Sequence, residues 1–335
     1  QRAQWQQESE TFAVRISDLT EKVAAIGSSE RALQEKYEEE HQLQHYLIRL
    51  HQLNIELTLI ENLDQFFQQI VKLGLEYLGF DRIGVWLYDT EQNMVIGTYG
   101  TDLRGNMQSE AGFRFALQPG GGMWKSLQRP DRFIYEESAP LKHNLDEVGT
   151  GWKVTIALWH GNRNLGWLSV DNLIHQKPIS QPQLEILAQY GLLVAALLAR
   201  KQAERRQQES EQMLQAVMDN IPIRVFWKDS NFRLLGCNRQ FVEDSGFPSA
   251  DDLIGKSDED FARDQVDLPF RNELPKYRED DQRVVETGVS IYGREERQTR
   301  KAGQVHWLRT SKVPLRNVEG NIIGILGSYE DITER

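Results

Sequence analysis

Residues 153–172 constrain the fold most. KVTIALWH (Lys153 to His160) and LGWLSVDN (Leu165 to Asn172) both read as strands, and the Gly161-Asn162-Arg163-Asn164 segment between them makes them a hairpin. A hairpin needs a sheet to join. Further strand-like alternation appears at Ile83, Val85 and Leu87 in RIGVWLYD, at Met94 to Tyr99, at Phe113 and Phe115, and at Phe133 to Tyr135. Turn signals at Asp89 to Asn93, Gly100 to Asn106 and Pro119 to Gly122 separate these runs. Helices bracket the block. Asn62 is a candidate N-cap with Gln65 three residues on, ahead of Phe66, Phe67, Ile70, Val71, Leu73 and Leu75, and Gly79 ends the pattern. Ser180 caps a second helix, with Gln183 completing the box, that runs through Leu184, Leu187, Val194, Leu197 and Leu198. Two helices around a five- or six-stranded antiparallel sheet predict an α+β domain over residues 47–200.

A second α+β unit follows. Met213, Leu214, Val217 and Met218 close a helix that Pro222 stops. RVFWKDSNFRLLGCNRQF then reads as strand, turn, strand and a helix opening near Asn238. Short acidic helices come next, with Ser257 to Asp260 as a cap, then a longer helix through Tyr277, Val284 and Val285 to Gly288. Strands over Val289 to Arg300, Val305 to Leu315 and Ile322 to Glu330 complete it, with turns at Lys301-Ala302-Gly303 and Asn317 to Asn321.

With 335 residues, 39% of them apolar and 27% charged, the chain has room for two modest domains plus connectors. The one cysteine, Cys237, permits no intrachain disulfide, and no Cys/His cluster has zinc-site spacing, so a cytoplasmic setting and no metal are expected. A net charge of −11 argues against a nucleic-acid surface. The longest apolar run, Leu192 to Ala199, is far short of the ~20 residues that span a bilayer, so no membrane contact is expected. The chain opens on Gln1 and stops at Arg335 on a helix-opening motif, which suggests a slice of a longer protein.

Leu43, Leu47, Leu50, Asn54 and Leu57 follow heptad steps within a Gln- and Glu-rich stretch over residues 28–61. Two readings stand: a parallel dimer helix whose register Asn54 sets, or an amphipathic helix lying on the following domain. Residues 200–212 keep helical composition without an apolar seam, as a solvated spacer or a weak coiled coil. Asp331-Ile332-Thr333-Glu334-Arg335 has a near copy at Asp18-Leu19-Thr20-Glu21-Lys22, each a capping box after a short apolar stretch. Residues 11–16 are therefore either the last strand of a preceding domain or part of a plain helix. The resulting division is 1–26 as that possible domain end, 27–46 helical linker, 47–200 first domain, 201–212 helical linker and 213–335 second domain.

The order helix, LGFDRIGVWLYD, hairpin, KVTIALWHGNRNLGWLSVDN, exit helix, with Gly166, Trp167 and Val170 in the late strand, resembles a GAF domain. Trp227-Lys228-Asp229, Cys237 to Phe241, Gly255-Lys256-Ser257, Glu286-Thr287-Gly288, Trp307, Pro314-Leu315 and Asp331 to Arg335 resemble a PAS domain. The resemblance implies two antiparallel-sheet sensor domains joined by long signalling helices, in a cytoplasmic signal-transduction protein. It implies a sensor histidine kinase of a two-component system, with a homodimer through the N-terminal and linker helices and an output domain downstream. A ligand-free dimerisation or spacer module feeding a diguanylate cyclase is the rival. Signal relay would fall to Asp18, Glu21, Asn54, Asp331, Thr333 and Glu334.

No catalytic residue is expected in these domains: there is no phosphate-cradling G-x-x-x-x-G-K-[ST], no G-x-S-x-G, and no kinase or cyclase signature. The run Gly120 to Gly122 reads as a turn into a short helix, and His41, His45 and His51 as exposed helix residues. No cofactor is predicted. Covalent bilin lacks its Cys in the first domain, and haem lacks a His on the helix over 267–287. Cys237 reads as a buried small residue, and His306 as a hydrogen-bonded structural histidine. A noncovalent flavin or small metabolite stays open, with Arg114, Trp124 and His143 as candidate ligand contacts in the first domain and Phe226, Phe241 and Trp307 in the second. Arg104, Arg114, Trp124 and the stretch from His143 to Thr150 are expected in loops.

Overall fold

The structure, a computed structural model, describes residues 40–129, 132–264, 273–299 and 305–334, with isolated positions between 22 and 38. It divides into two units, Gln1–Arg205 and Arg206–Arg335, each with its own antiparallel sheet. Asp18, Glu21, the 11–16 stretch and the Lys301-Ala302-Gly303 turn lie outside the described residues.

The first unit opens with α1 over residues 40–58 and α2 (Leu63–Leu78). The Asn62 side chain accepts hydrogen bonds from the Asp64 and Gln65 amides, and Gly79, in the left-handed region at φ 70°, closes the helix. Then come β1 (Arg82–Asp89), β2 (Met94–Thr101), β3 (Met107–Ser109), β4 (Arg114–Ala116), α3 (Gly122–Gln128), β5 (Phe133–His143), β6 (Asp146–His160), β7 (Arg163–Asp171) and α4 (Gln181–Asn220). The sheet runs β3-β2-β1-β7-β6-β5, with β4 beside β2, making seven strands against the five or six expected.

Period two sorts the strand residues into faces. Ile83, Val85, Val154, Ile156, Leu168 and Val170 point to one side, into a core built with Phe66, Ile70 and Val71 of α2 and Ile186, Leu187, Tyr190 and Val194 of α4. Burying each such side chain is worth ~1.5–3 kcal/mol. Leu53 and Leu57 of α1 join this core fully buried, and Leu50 packs against it, so that half of the heptad seam lies on the domain itself. Leu47, Ile48, Ile55 and Leu59 stay exposed. Asn54 is half-buried, and the Thr58 hydroxyl donates to its carbonyl at 2.6 Å. Lys201 of α4 donates to the Ile60 carbonyl just past α1 and lies over the Phe66 ring, tying α1, α2 and α4 together.

One sequence expectation needs correction. The stretch from His143 to Thr150 is no loop: β5 and β6 form a long hairpin in which His143 pairs with Asp146, turning through Asn144 and Leu145 at φ 51° and 74°. Consecutive positive φ values are the signature of a two-residue hairpin turn, for which Asn is suited. Helix α4 has one stretch long and apolar enough to cross a bilayer by length and composition, and 56% of that stretch is buried within the protein. Its residues from Gln202 to Ala216 are almost all solvent-exposed.

The second unit holds the end of α4, then β8 (Arg224–Asp229), β9 (Leu234–Cys237), α5 (Arg239–Ser245), α6 (Asp258–Asp264), α7 (Leu274–Thr287), β10 (Ile291–Thr299), β11 (Val305–Arg316) and β12 (Ile322–Asp331). The sheet order is β10-β11-β12-β8-β9. Asn238 caps α5 from the Phe241 amide while its amide nitrogen donates to the Met218 and Ile223 carbonyls, fastening the α4 end to the sheet. Ser257 and Asp260 form the expected capping box on α6. Phe226, Leu234, Leu253, Phe261 and Leu274 form the core. Cys237 is buried and free, and burial pushes its thiol up to about 11, an inert state at neutral pH.

Candidate functional site

The face of the first sheet opposite its main core is built from the other parity of the same strands. The register sets Arg82 of β1 beside Asp171 of β7, Asp171 beside Lys153 of β6, and Lys153 beside Glu136 of β5. This is a row of alternating charge across four strands. One step along lie Gly84, Ser169 and Thr155, and one step further Trp86, Trp167 and Ala157. The row is thus charged, then small, then aromatic. Over the small row lies a cavity of about 430 Å³. Phe113, Phe115 and Leu117 of the β3–β4 region and Gly120 to Met123 at the start of α3 cover it, and Glu110, Lys142 and His143 stand at its charged end.

The charges are held tightly. Arg82 donates from Nε to Asp171 Oδ1 at 2.9 Å and from Nη2 to Asp171 Oδ2 at 2.7 Å, with a further bond from Nη2 to the Lys142 carbonyl at 2.9 Å. Such a fork is the strongest form of carboxylate pairing. Its Nη1 is buried without a partner, as are Glu110 Oε2 and Thr155 Oγ1. Burial pushes the Glu110 carboxyl up, with the Gln108 amide and the Arg82 charge pulling partly back. Burial likewise pulls the Lys153 ammonium down, against Asp171 and Glu136. Lys125 of α3 stands 3.7 Å from Glu136.

Of the three residues expected to meet a ligand here, His143 lines the cavity and two do not. Arg114 lies on β4, opposite Ile96 of β2, and is exposed. Trp124 sits on α3 and packs on the second small core of Val95, Leu117, Ala157 and Trp167. That core also takes the Trp167 indole, which donates to the Met123 carbonyl and the Ser126 hydroxyl. Arg104 lies in a turn organised by Asp102, away from the cavity lining. The charged row escaped sequence reading because its four members come from four strands. The signal that could have found it is parity: Arg82, Lys153 and Asp171 all fall on the strand positions opposite the apolar ones.

The second unit has a smaller cavity, about 80 Å³, walled by Phe226, Phe241, Phe247 and Phe261 and floored by charge. Lys228 Nζ donates to both oxygens of Asp258 and to Asp281 Oδ2, each at 2.9 Å, and Lys312 Nζ donates to Asp281 Oδ1 at 2.5 Å and to the Tyr277 carbonyl at 2.9 Å. Asp281 is fully buried. Burial opposes the Lys228 charge, but the two carboxylates outweigh it and hold the ammonium above its ordinary range. Glu296 accepts from the Thr310 hydroxyl at 2.5 Å, and the Tyr277 hydroxyl is buried without a partner. Phe226 and Phe241 line this cavity, whereas Trp307 does not: Leu308, Thr310 and Lys312 face the helices, so Trp307 falls on the opposite face of β11 and is 48% exposed.

At the end of β12, Asp331 accepts from the Thr333 amide at 3.0 Å and Thr333 Oγ1 accepts from the Trp307 amide, while His306 Nδ1 lies 2.6 Å from Asp331 Oδ2. Burial raises the Asp331 carboxyl, but the bonds from Thr333 and His306 prevail and hold it at about 2. Glu334 follows in a turn. Among the described residues no cluster of three His, Cys, Asp or Glu could hold a metal.

Residues 218–335 match the family described as PAS fold. Among solved structures, the GAF domain of a phosphoenolpyruvate-protein phosphotransferase from Coxiella burnetii is similar at 19% identity and TM-score 0.42, over 49% of this chain and 98% of that one. VqmA from Vibrio cholerae is similar at 25% identity and TM-score 0.32, over 37% of this chain and 51% of that one. The PAS domain of a Colwellia psychrerythraea protein is similar at 21% identity and TM-score 0.29, over 37% of this chain and 98% of that one. The chain thus spans about half the length of VqmA. No curated protein matches. The family match thus falls within the second unit.

Proposed function

We propose that this chain is a non-catalytic sensory segment of a signalling protein, and that the first unit's cavity is its ligand site. One observation carries the reading: a cavity of about 430 Å³ whose wall keeps two buried polar atoms unpartnered, Arg82 Nη1 and Glu110 Oε2. Buried polar groups are nearly always satisfied, so such a set marks a place where another molecule supplies the partners. The second unit's cavity, about 80 Å³, is roughly half the size that holds one benzene, so it has no room for a flavin.

Transmission would use the helices. Exposed Leu47, Ile48 and Ile55 on α1 and Leu59 just past it favour a homodimer through that helix, with α4 leading from the first unit into the second. The Asp331–Thr333 turn, braced by His306, is where the second unit would hand its state to a downstream output domain. A two-component histidine kinase is the output we favour and a diguanylate cyclase the alternative, both in the cytoplasm; neither nucleic acid nor membrane is a proposed partner.

The test is mass spectrometry of small molecules released from the purified chain by denaturation, together with its as-isolated absorption spectrum. A colourless protein releasing one stoichiometric metabolite supports the reading; visible absorption from haem or bilin contradicts it. Light scattering checks the dimer: Ile48→Glu with Ile55→Glu is expected to halve the mass, and a monomeric parent chain would contradict the helical axis.

A further inference from the structure

The charge pattern of the first cavity says more than that something binds. Three groups in its wall keep polar atoms without a hydrogen-bond partner among the described residues, and they have both signs. Arg82 uses Nε and Nη2 on Asp171 and leaves Nη1 buried and unpaired. The Lys153 ammonium, beside Asp171 in the register, lines the cavity and donates no hydrogen bond. Glu110 enters from the turn after β3 and lies over Gly100, where a Cβ would come within 2.5 Å of its Oε1; its Oε2 is unpaired. Gly100 therefore keeps open the seat that the carboxylate occupies.

A simple anion would satisfy Arg82 and Lys153 but leave Glu110 unpaired and repelled; a simple amine would do the reverse. An unpaired buried charge is among the costliest arrangements in a protein, so the occupant that relieves all three must carry both charges. The far end of the cavity is apolar, with Trp86 against Phe115 at 5.6 Å between ring centroids, and Phe113 and Met123 beside them. Resting on the ligand-site reading above, we propose that the occupant is a zwitterionic amino acid with an apolar side chain. Its ammonium pairs with Glu110, its carboxylate with Arg82 Nη1 and Lys153, and its side chain lies along the Trp86 and Phe115 wall.

Calorimetric titration of the 335-residue chain with three probes of one shape decides this: L-phenylalanine, phenethylamine and 3-phenylpropionate. The expected result is that L-phenylalanine binds at least tenfold tighter than either single-charge analogue. Glu110→Gln should weaken L-phenylalanine and phenethylamine tenfold or more and spare 3-phenylpropionate; Lys153→Met should do the converse. Equal binding of all three probes, or variants that lose all three alike, overturns the proposal, and the wild-type comparison decides alone if a variant fails to fold. If no probe binds while a metabolite of another charge type co-purifies, the amino-acid assignment falls and the ligand site stands. If no probe binds and nothing co-purifies, both fall.

Discussion

Glu110 is a residue whose place in the fold costs stability. A carboxyl raised above its ordinary value by burial binds its proton more tightly folded than unfolded. The group is neutral in both states below its unfolded value near 4.5, and no penalty applies there. As pH rises through the raised folded value the buried carboxylate must ionise, and stability is lost. Glu110→Gln removes that cost, so the variant should melt with wild type at pH 4 and progressively above it toward pH 8 in ligand-free protein. Thermal melts across that range check it; parallel curves would mean that Glu110 is solvated in the fold. Asp331 has the opposite sign. Held at about 2, it adds stability above the ordinary carboxylate range, and that contribution disappears as pH falls toward 2. Such residue-scale effects were only partly legible in the sequence. His306 as a bonded histidine and Cys237 as an inert buried thiol follow from local pattern. The state of Glu110 depends on Gly100 and Arg82 arriving from other strands.

At the scale of elements, the clearest demand on the sequence is at Gly166. It sits in β7 at φ 151°, and a Cβ there would lie 1.8 Å from the Trp86 carbonyl oxygen. Only glycine lets β1 and β7 approach that closely while the hairpin with β6 holds. Gly166→Ala should destabilise the first unit by at least about 1–3 kcal/mol, the ordinary cost of such backbone strain, before the clash is counted. Urea titration followed by Trp fluorescence would show it, and an unchanged midpoint would contradict the close approach. Helix ends were legible because caps are local: Asn62, Ser180, Asn238 and Ser257 each announce a helix within three residues. The β5–β6 hairpin was not, since Gly149 and Gly151 interrupt the alternation of β6 and the turn carries Leu145 at positive φ, where Gly is usual. Parity errors have one cause as well. Trp307 is an aromatic in a strand, and aromatic character does not say which face it takes; its neighbours Leu308 and Lys312 do. The heptad seam on α1 was half right in spacing, but Leu57 answers to the domain core rather than to a second helix.

Over the whole molecule, two cores with separate sheets should unfold as two events. The buried network of Lys228, Asp258, Asp281 and Lys312 belongs to the second alone. Asp281→Asn leaves two buried ammonium groups undercompensated, which typically costs about 3–5 kcal/mol. Scanning calorimetry should then show two transitions in the wild type, with only one moved by this variant; a single transition shifted as a whole would mean that the units melt together. Outside the β5–β6 hairpin, the alternation of helix and strand in the two units was legible, because it rests on period and punctuation. What each domain holds was not, because cavities are made where distant residues meet.

The measurement closest to the central claim is the melting temperature of the chain against concentration of a stabilising metabolite, in wild type and in Ser169→Leu. Ser169 lies in the small-residue row beneath the cavity, and leucine there fills it. A ligand that binds the folded state raises the melting point in proportion to the logarithm of its excess over the dissociation constant. The account predicts a dose-dependent rise in the wild type that Ser169→Leu abolishes while keeping its own fold. A rise that persists undiminished in Ser169→Leu would place the ligand elsewhere and contradict it.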